Sequence, residues 1–391
     1  MKDYNYIIVG GGMAAGSAVA GIRELDHVGT VLMISEENAL PYNRPPLSKK
    51  LWTGGSESEI YLEMDEQGLD ILLDTSVLSI NPDLRRIAVS SGETFSYEKL
   101  LLATGGRVRE LPFGKGLINY YRTIADYHHL RTIVEEKDRV IVIGAGFIGA
   151  EIAAALSTTG KRVTMIDVGP GIGWRIFPAE MVHFLNDYYR AKGVTVLPDV
   201  ELLSVMQEGG QIALNIKGNS PVLADGVVAG VGIVLNDDLA QDSGLALKNG
   251  IQVNETLQTS DPGIFAAGDI ANFYNPTLAR RIRVEHADNA KAMGRQAGRN
   301  MAEANEPYSY LPLFYSDMFD LGYEAVGILD SRLKIIEDWQ ENFVKGVLYY
   351  LEDDEVVGAL LWNVWDQVDA AREVIGNKKS YSEKNLIGLI R

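Results

Sequence analysis

The chain has 391 residues, 46% of them hydrophobic, which is enough to bury several cores and to form two or three domains. Its formal net charge of −17, from 53 acidic and 36 basic residues, disfavours binding to nucleic acid. The absence of cysteine excludes disulfides, thiolate metal sites and a cysteine nucleophile, and we predict no metal site.

The chain enters its first predicted strand almost at once. Since it opens MKDYNY, we expect no signal or transit peptide. No apolar run reaches the roughly 18 residues that a transmembrane helix requires. We therefore expect a cytoplasmic protein with no membrane partner.

A glycine-rich turn follows the first strand. In IIVGGGMAAGSAVAGIRE, Gly10 and Gly12 fill the first two positions of a G-x-G-x-x-A pattern, and Ala15 fills the third. The next predicted strand, Val31 to Ile34, leads to Glu36, whose carboxylate can accept hydrogen bonds from both hydroxyls of a ribose. The pattern predicts a dinucleotide site at this turn, and it fits FAD.

The segment PYNRPPLSK comes next and is stiffened by three prolines. Ser48 could cap the short helical stretch that follows. Spacing alone favours solvated surface charge as the interpretation of Arg44 and Lys49.

Several strands are predicted before the middle of the chain. Arg86 to Val89 and Thr94 to Tyr97 flank turn residues and indicate a hairpin. Leu100 to Thr104 predicts a buried strand that closes on Gly105 and Gly106. The glycine pair fits a backbone approach to a ligand and a plain loop equally well.

The stretch from Asp138 to Asp167 repeats the first unit, after a predicted helix over Asp126 to Glu136. Arg139 to Ile143 predicts a strand, and an apolar helix opens over Ile152 to Leu156. Between them, a G-x-G-x-x-G pattern is formed by Gly144, Gly146 and Gly149. The glycines permit a tight turn, close approach of the backbone to pyrophosphate, and close packing of helix on strand.

Two such units with strand, turn, helix and terminal acid in register predict two dinucleotide sites. The second fits NADH, because Asp167 at the end of the next strand can accept ribose hydroxyls. A 2′-phosphate would meet the Asp167 carboxylate, which disfavours NADPH unless Arg175 turns towards that phosphate.

The later elements predict further α/β structure. In QTSDPGIFAAGD, Asp269 lies at the carboxyl end of a short strand, where it could accept from a sugar-like chain or merely cap a turn. A helix with small residues on one face is predicted over Glu285 to Met301, for close docking. The other predictions are a helix from Pro178 to Lys192, two strands between Val200 and Ile216, and a strand from Val227 to Val231.

From Pro312 onward the pattern changes to antiparallel strands. The predicted strands are Glu324 to Leu329, Leu333 to Asp338, Phe343 to Leu351 and Val356 to Trp362, before a helix over Asp366 to Ile375. The predicted fold class is therefore α/β, with two Rossmann-like dinucleotide-binding domains and a C-terminal α+β domain.

With these segments in place, the chain resembles the two-dinucleotide-fold flavoprotein reductases, in the branch of oxygenase-coupled ferredoxin reductases and apoptosis-inducing factor. The resemblance lies in PYNRPPLSKKLW, LLATGG, GAGFIGAEIA, IFAAGDIA, RVEHADNA, FYSDMF and LLWNVWD, in the family's order. It implies an FAD domain of residues 1–110 and 236–310, an NAD domain of residues 111–235, and a C-terminal domain of residues 311–391 that covers the flavin.

The resemblance also assigns residues to FAD. Gly10, Gly12 and Ala15 would hold the pyrophosphate, Glu36 the adenosine ribose, and the Val77 backbone the adenine. Arg44 and Lys49 would lie near the phosphates and the flavin edge, and Asp269 would bind the ribityl chain. The remaining FAD assignments are Thr104, Gly105, Glu285, His286, Ala287 and Trp362.

On the NADH side, the resemblance assigns Gly144, Gly146 and Gly149 to pyrophosphate and Asp167 to ribose. Phe147 and Ile148 would lie at the nicotinamide approach, and Gly232 also belongs to this site. Glu151 would pair with Lys49 beside the flavin and is, with Lys49, the implied catalytic pair. On spacing alone, the two would be a surface lysine and a first-turn glutamate that favours the helix dipole.

Three positions depart from the family pattern. Ala287 replaces an aromatic residue, Tyr315 replaces tryptophan, and Leu235 replaces the proline before Asn236.

The implied activity is hydride transfer from NADH to FAD, followed by electron transfer from the flavin to an acceptor. Because the chain has no cysteine, the electrons would leave the flavin directly. We expect the acceptor to be a ferredoxin or rubredoxin. The alternatives are an NADH-responsive interaction flavoprotein of the apoptosis-inducing-factor type and an NADH:quinone or oxygen reductase, and a homodimer is left open.

Overall fold

The computed structural model of the protein describes residues 2–391, which fold into two compact units. The first unit contains the chain up to Arg44, Glu57–Arg107 and Val234–Pro312. The second contains Pro45–Ser56, Val108–Ile233 and Leu313–Arg391. The three-domain division stays a prediction, because compactness alone does not show which segments fold independently.

A mainly parallel sheet forms the centre of the first unit. Lys2–Val9 lies between Val31–Ile34 and Thr94–Leu102, and all three run parallel. Thr94–Leu102 is one continuous strand, whereas the sequence predicts two separate segments there. It pairs with Lys2–Val9 from Phe95 to Leu102, and only its first residues also pair in the hairpin. The other strands of the unit are Leu69–Leu72, Val77–Asn81, Arg86–Val89, Ile251–Gln252, Ile264–Ala266, Ala271–Asn275 and Arg280–Ile282.

Two helices of the first unit cross at very short range. Met13–Arg23 packs on Ala287–Met301, and a methyl group added to Gly294 or Gly298 would collide with a backbone carbonyl of the facing helix. The predicted close docking is thus present. The second helix begins at Ala287, so Glu285 and His286 precede it, unlike the sequence prediction. The unit also has a short α-helix, Asp238–Asp242, and 3-10 helices at Glu57–Glu59 and Gly268–Ile270.

A second parallel sheet belongs to the other unit. Its strands lie in the order Thr195–Leu197, Arg162–Ile166, Arg139–Ile143, Gly226–Ala229 and Asn119–Tyr120. Beside it, Leu202–Glu208, Gln211–Ile216 and Val222–Ala224 form an antiparallel sheet. The helices are Ile124–Glu136, Phe147–Thr158 and Ala179–Ala191. Gly106–Val108 and Ile233–Leu235 are the strands at which the chain passes from one unit to the other.

The C-terminal part of the second unit is a five-stranded antiparallel sheet. The strand order is Leu313–Met318, Leu321–Gly327, Glu355–Trp362, Lys345–Glu352 and Lys334–Glu341. Helices Val368–Gly376 and Glu383–Leu386 complete it. The first of these strands is missing from the sequence prediction, because Ser316 and Asp317 interrupt its hydrophobic pattern.

Short 3-10 helices at Pro45–Ser48 and Lys50–Thr53 belong to the second unit, although their neighbours in sequence belong to the first. In residues 2–391, no helix has the length and hydropathy to span a membrane. In the same residues, no cluster of three or more His, Asp or Glu side chains is arranged to hold a metal ion.

Candidate functional site

The first glycine-rich turn joins Lys2–Val9 to Met13–Arg23. Gly10 has a φ of +127°, and a side chain there would collide with the carbonyl of Ala103. Gly12 starts the helix with no side-chain cap, and an added methyl group would meet only the Arg44 guanidinium, at 3.9 Å. The turn therefore leaves backbone N–H groups open at a helix N-terminus, with a cation beside them, which suits a pyrophosphate.

Arg44 is held in place by a residue that the sequence analysis does not identify. Glu37 forms an ion pair with Arg44 and accepts a hydrogen bond of 2.7 Å from the Tyr42 hydroxyl. Burial opposes the charge on Arg44, but Glu37 outweighs it and raises the pKa of the guanidinium. The predicted ribose ligand Glu36 is adjacent in sequence and is exposed. A second glutamate after the strand is the signal that could have indicated Glu37.

Other predicted FAD residues, Val77, Thr104, Gly105 and Ala15, lie in the same unit. Val77 begins a strand and is 8% exposed. Thr104 donates a hydrogen bond to the carbonyl of Asn236, and the Asn236 N–H donates to the carbonyl of Gly105. Ala15 is fully buried beneath the turn, as its place in the pattern requires.

Asp269 and His286 come together although they are distant in sequence. Asp269 lies in the 3-10 helix Gly268–Ile270, and its charge interacts with His286. Burial lowers the pKa of His286 to about 4, against the opposing effect of Asp269, so the ring is neutral at physiological pH. Arg283, which the sequence analysis overlooks, donates to the Asp269 carbonyl and to Glu285, and so links the two loops. The helix starts at Ala287 directly afterwards.

The second glycine-rich turn has the same construction in the other unit. Gly144 has a φ of +99°, and an added methyl group would lie 2.6 Å from the Gly230 carbonyl. At Gly146 nothing lies within 4 Å of such a group, and at Gly149 it would collide with the Gly144 carbonyl. The first and third glycines are thus required by packing, and the middle one leaves space for a ligand.

The residues beside this turn differ in their exposure. Phe147 packs against Phe314, with ring centroids 5.4 Å apart, whereas Ile148 is 41% exposed. Gly232 has a φ of +93°, and its carbonyl accepts a hydrogen bond from the Arg109 N–H.

The Asp167 carboxylate has backbone partners already. It accepts hydrogen bonds from the N–H groups of Ala145, at 2.6 Å, and Gly169, at 2.7 Å. These bonds fix the glycine-rich turn and the loop after the strand in one arrangement. Arg175 stacks over the ring of Trp174, with 4.7 Å from the guanidinium carbon to the ring centroid. Its side chain is thus held by an aromatic contact.

Glu151 and Lys49 form an ion pair, with 3.1 Å between the Lys49 Nζ and a carboxylate oxygen. Glu151 is 5% exposed and also accepts hydrogen bonds from Ser48, at 2.5 Å, and Ser316, at 2.6 Å. Burial raises the pKa of Glu151, and Lys49 opposes that effect. The sequence suggested that Ser48 could cap the helix that follows. In the structure Ser48 caps no helix, because its hydroxyl donates to Glu151.

The segment that carries Lys49 is tied to the second unit by aromatic side chains. The Leu47 carbonyl accepts hydrogen bonds from the Trp52 indole N–H, at 2.8 Å, and from the Tyr121 hydroxyl, at 2.5 Å. The Tyr127 hydroxyl donates to the carbonyl of Leu51. Lys49 is therefore held on the same unit as the second glycine-rich turn.

Trp362, which the resemblance assigns to FAD, lies on the last strand of the C-terminal sheet, and that assignment stays a prediction. It is fully buried, stacks on Tyr323, and donates its indole N–H to the carbonyl of Phe343. The Phe177 ring also packs against the indole, edge to face, with 5.7 Å between the ring centroids.

Comparison with known proteins links this geometry to a family. The family model described as "Pyridine nucleotide-disulphide oxidoreductase" matches residues 4–294. A second model, "Apoptosis-inducing factor, mitochondrion-associated, C-term", matches residues 297–341 and 336–377.

Two curated relatives and one solved structure cover nearly the whole chain. The ferredoxin–NAD(+) reductase component of the anthranilate 1,2-dioxygenase system of Burkholderia cepacia is 33% identical, over 95% of this chain and 93% of its own length. Apoptosis-inducing factor 1, mitochondrial, of Dictyostelium discoideum is 30% identical, over 98% of this chain and 80% of its own length. The covalent putidaredoxin reductase–putidaredoxin complex is 28% identical with a TM-score of 0.90, over 98% of this chain and 95% of that one.

The neutral His286 gives a prediction about pH. The unfolded chain takes up a proton near the ordinary pKa of 6.5, whereas folded His286 does so only near 4. Stability is therefore lost as pH falls between these values, by up to about 3 kcal/mol. We expect His286→Gln to flatten this fall in the thermal midpoint between pH 7 and pH 4.5, as measured by circular dichroism.

The matched control is His183→Gln, since His183 is exposed on the helix Ala179–Ala191. Its pH profile should follow that of the parent protein. An unchanged profile for His286→Gln would contradict the assignment of a neutral, partly buried imidazole.

Proposed function

Because the chain belongs to the pyridine nucleotide-disulphide oxidoreductase family, we propose that it passes hydride from NADH to FAD and then electrons to a ferredoxin or rubredoxin. It is a flavoprotein reductase of the ferredoxin and rubredoxin reductase type. The observation that carries the proposal is the buried Lys49–Glu151 pair in a chain without cysteine. With no thiol to relay them, electrons have to leave the flavin directly.

The first unit supplies groups that suit FAD. The open N–H groups at Gly12 and the Arg44 guanidinium would bind the pyrophosphate, and exposed Glu36 would accept from the ribose. Asp269, next to the neutral His286 and ahead of the helix that begins at Ala287, would hold the ribityl chain. When bound, FAD accepts a hydride and releases the electrons to an acceptor.

The second unit supplies groups that suit NADH. The space at Gly146 admits a pyrophosphate at the start of Phe147–Thr158, where the helix dipole favours negative charge. Asp167 keeps lone pairs free for ribose hydroxyls after accepting its two backbone hydrogen bonds. Its negative charge disfavours a 2′-phosphate.

In this proposal the Lys49 ammonium lies beside the flavin. A cation there favours the negative charge that the cofactor gains on reduction. Glu151 keeps Lys49 in position and charged, since its carboxylate raises the pKa of the ammonium against the effect of burial. The hydroxyls of Ser48 and Ser316 hold the Glu151 carboxylate in turn, so the ion pair is fixed before any substrate binds.

A second candidate function is an NADH-responsive interaction flavoprotein of the apoptosis-inducing-factor type. The match of residues 297–341 and 336–377 to the C-terminal model of that factor favours it. Reduction of a quinone or of oxygen is a further alternative that the absence of cysteine allows. The cytoplasmic location stays a prediction.

We expect the purified protein to contain FAD and to prefer NADH. FAD rather than FMN is expected because Glu36 and the Gly10–Gly12 turn suit an adenosine half that FMN lacks. Mass spectrometry of the released cofactor and stopped-flow reduction with NADH and with NADPH check both points. FMN in folded protein, or equal efficiency with the two nucleotides, would contradict the proposed sites.

An acceptor series separates the two candidate functions. A reductase should oxidise NADH rapidly with a [2Fe–2S] ferredoxin or a rubredoxin, and slowly with a soluble quinone or oxygen. An interaction protein should instead keep a long-lived reduced complex with NAD⁺ in the presence of every carrier. Multiple-turnover assays with each acceptor, followed at the flavin absorbance, make the distinction.

We expect Glu151→Gln to slow flavin reduction by NADH by about tenfold or more while FAD stays bound, since the glutamine cannot hold the Lys49 charge. Ser48 and Ser316 donate to different carboxylate oxygens, so glutamine keeps an acceptor for one of them, whereas alanine would keep an acceptor for neither. Lys49→Ala should in addition shift the flavin spectrum and potential. Single-turnover reduction rates measure both effects.

The controls are Glu201→Gln and Lys217→Ala, which remove the members of an exposed ion pair in the same unit. Both should reduce at the parent rate. If the Glu151 and Lys49 variants also match the parent in rate and potential, the pair has only a structural role.

A further inference from the structure

Lys49 has a second carboxylate partner, Asp317. The Lys49 Nζ lies 3.0 Å from an Asp317 oxygen and 3.1 Å from Glu151. Glu151 is buried, with 5% of its side chain exposed, whereas Asp317 is 53% exposed. The ammonium, itself 14% exposed, thus bridges an inner and an outer carboxylate.

One strand brings three consecutive side chains to this group. Leu313–Met318 alternates its faces, so Ser316 points inward to Glu151 while Tyr315 and Asp317 both contact Lys49. The Lys49 Nζ lies 4.1 Å from the centroid of the Tyr315 ring. The titratable groups that face Lys49 are therefore Glu151, Asp317 and Tyr315.

We propose that Asp317 is a positioning residue, which holds the Lys49 ammonium at the outer side of Glu151 and offsets part of its charge. The effect on the cofactor rests on the proposed function, because it requires a flavin beside Lys49. Asp317 would then set how strongly Lys49 favours the reduced cofactor.

The charges give the sign of the effect. One ammonium between two carboxylates leaves the group with one net negative charge, and this charge opposes reduction of a neighbouring cofactor. Removal of the Asp317 charge leaves a neutral Lys49–Glu151 pair. The remaining ion pair keeps Lys49 in the unit, and solvent around Asp317 screens the effect to a modest size.

The first test uses the FAD-containing protein and Asp317→Asn, which keeps the size of the side chain and removes its charge. We expect the flavin potential to rise, so that the equilibrium constant for reduction against a reference dye increases by about threefold. Asp317→Glu should restore the parent value. Glu201→Gln, which removes one negative charge from an exposed pair, should leave the potential unchanged.

The second test observes Lys49 without relying on the flavin. Asp317 raises the pKa of Lys49 together with Glu151, so Asp317→Asn should increase the amount of neutral amine at a fixed pH. Competitive acylation of the full-length protein, read by peptide mass spectrometry, should show Lys49 reacting about threefold faster. No such increase is expected in Glu201→Gln.

The combined outcomes separate the inference from the proposal on which it rests. Unchanged acylation and unchanged potential would overturn the role of Asp317 and leave the reductase proposal standing. Faster acylation with an unchanged potential would overturn the placing of Lys49 beside the flavin, and with it the effect on the cofactor. If Glu201→Gln changes the flavin potential and the acylation rate equally, both effects arise from the overall charge of the protein. That result would also overturn the inference.

Discussion

The buried carboxylate of Glu151 is the constraint on which the second unit depends. A carboxylate with 5% exposure is costly unless donors replace the water that it has lost, and here two serine hydroxyls and one ammonium do so. The donors come from two separate parts of the chain, namely the adjacent residues Ser48 and Lys49 and the strand Leu313–Met318. The hydrogen bonds and the ion pair of this one carboxylate therefore fix the relative positions of the segment Pro45–Ser56, the helix Phe147–Thr158 and the edge of the C-terminal sheet. The same contacts hold Lys49, which the proposed chemistry needs.

The two glycine-rich turns show one physical solution used twice with different details. In both, the first glycine adopts a positive φ and lies against a backbone carbonyl, and the second leaves open space at a helix N-terminus. The acidic residues after the second strand differ, because Glu36 is exposed while Asp167 binds the N–H groups of its own turn and loop. The Asp167 side chain is shorter and already hydrogen-bonded, so it holds the second turn in one arrangement.

Much of the fold follows from short-range patterns. The two strand–turn–helix units, the hairpin of Arg86–Val89 and the antiparallel C-terminal strands were all predictable, since each has a local hydrophobic period and a turn signal. The edge strand Leu313–Met318 was not, because Ser316 and Asp317 serve long-range contacts at the expense of the strand pattern. Glu37, Arg283 and Asn236 were missed for a similar reason. They act on other site residues, and no local pattern marks such a role.

The sequence by itself determined that two glycine-rich strand-to-helix turns exist, that cysteine chemistry is absent, and which residues lie next to each turn, because these features depend on residues close together in the chain. The family resemblance added the pairing of Lys49 with Glu151, which spacing did not favour. Only the tertiary structure decided that Ser48 binds Glu151 and caps no helix, that Trp362 is enclosed by its own sheet, and that Asp317 shares Lys49. The physical reason is burial: the cost of desolvating a charge or enclosing a ring is set by neighbours from distant segments, and these neighbours meet only when the chain folds.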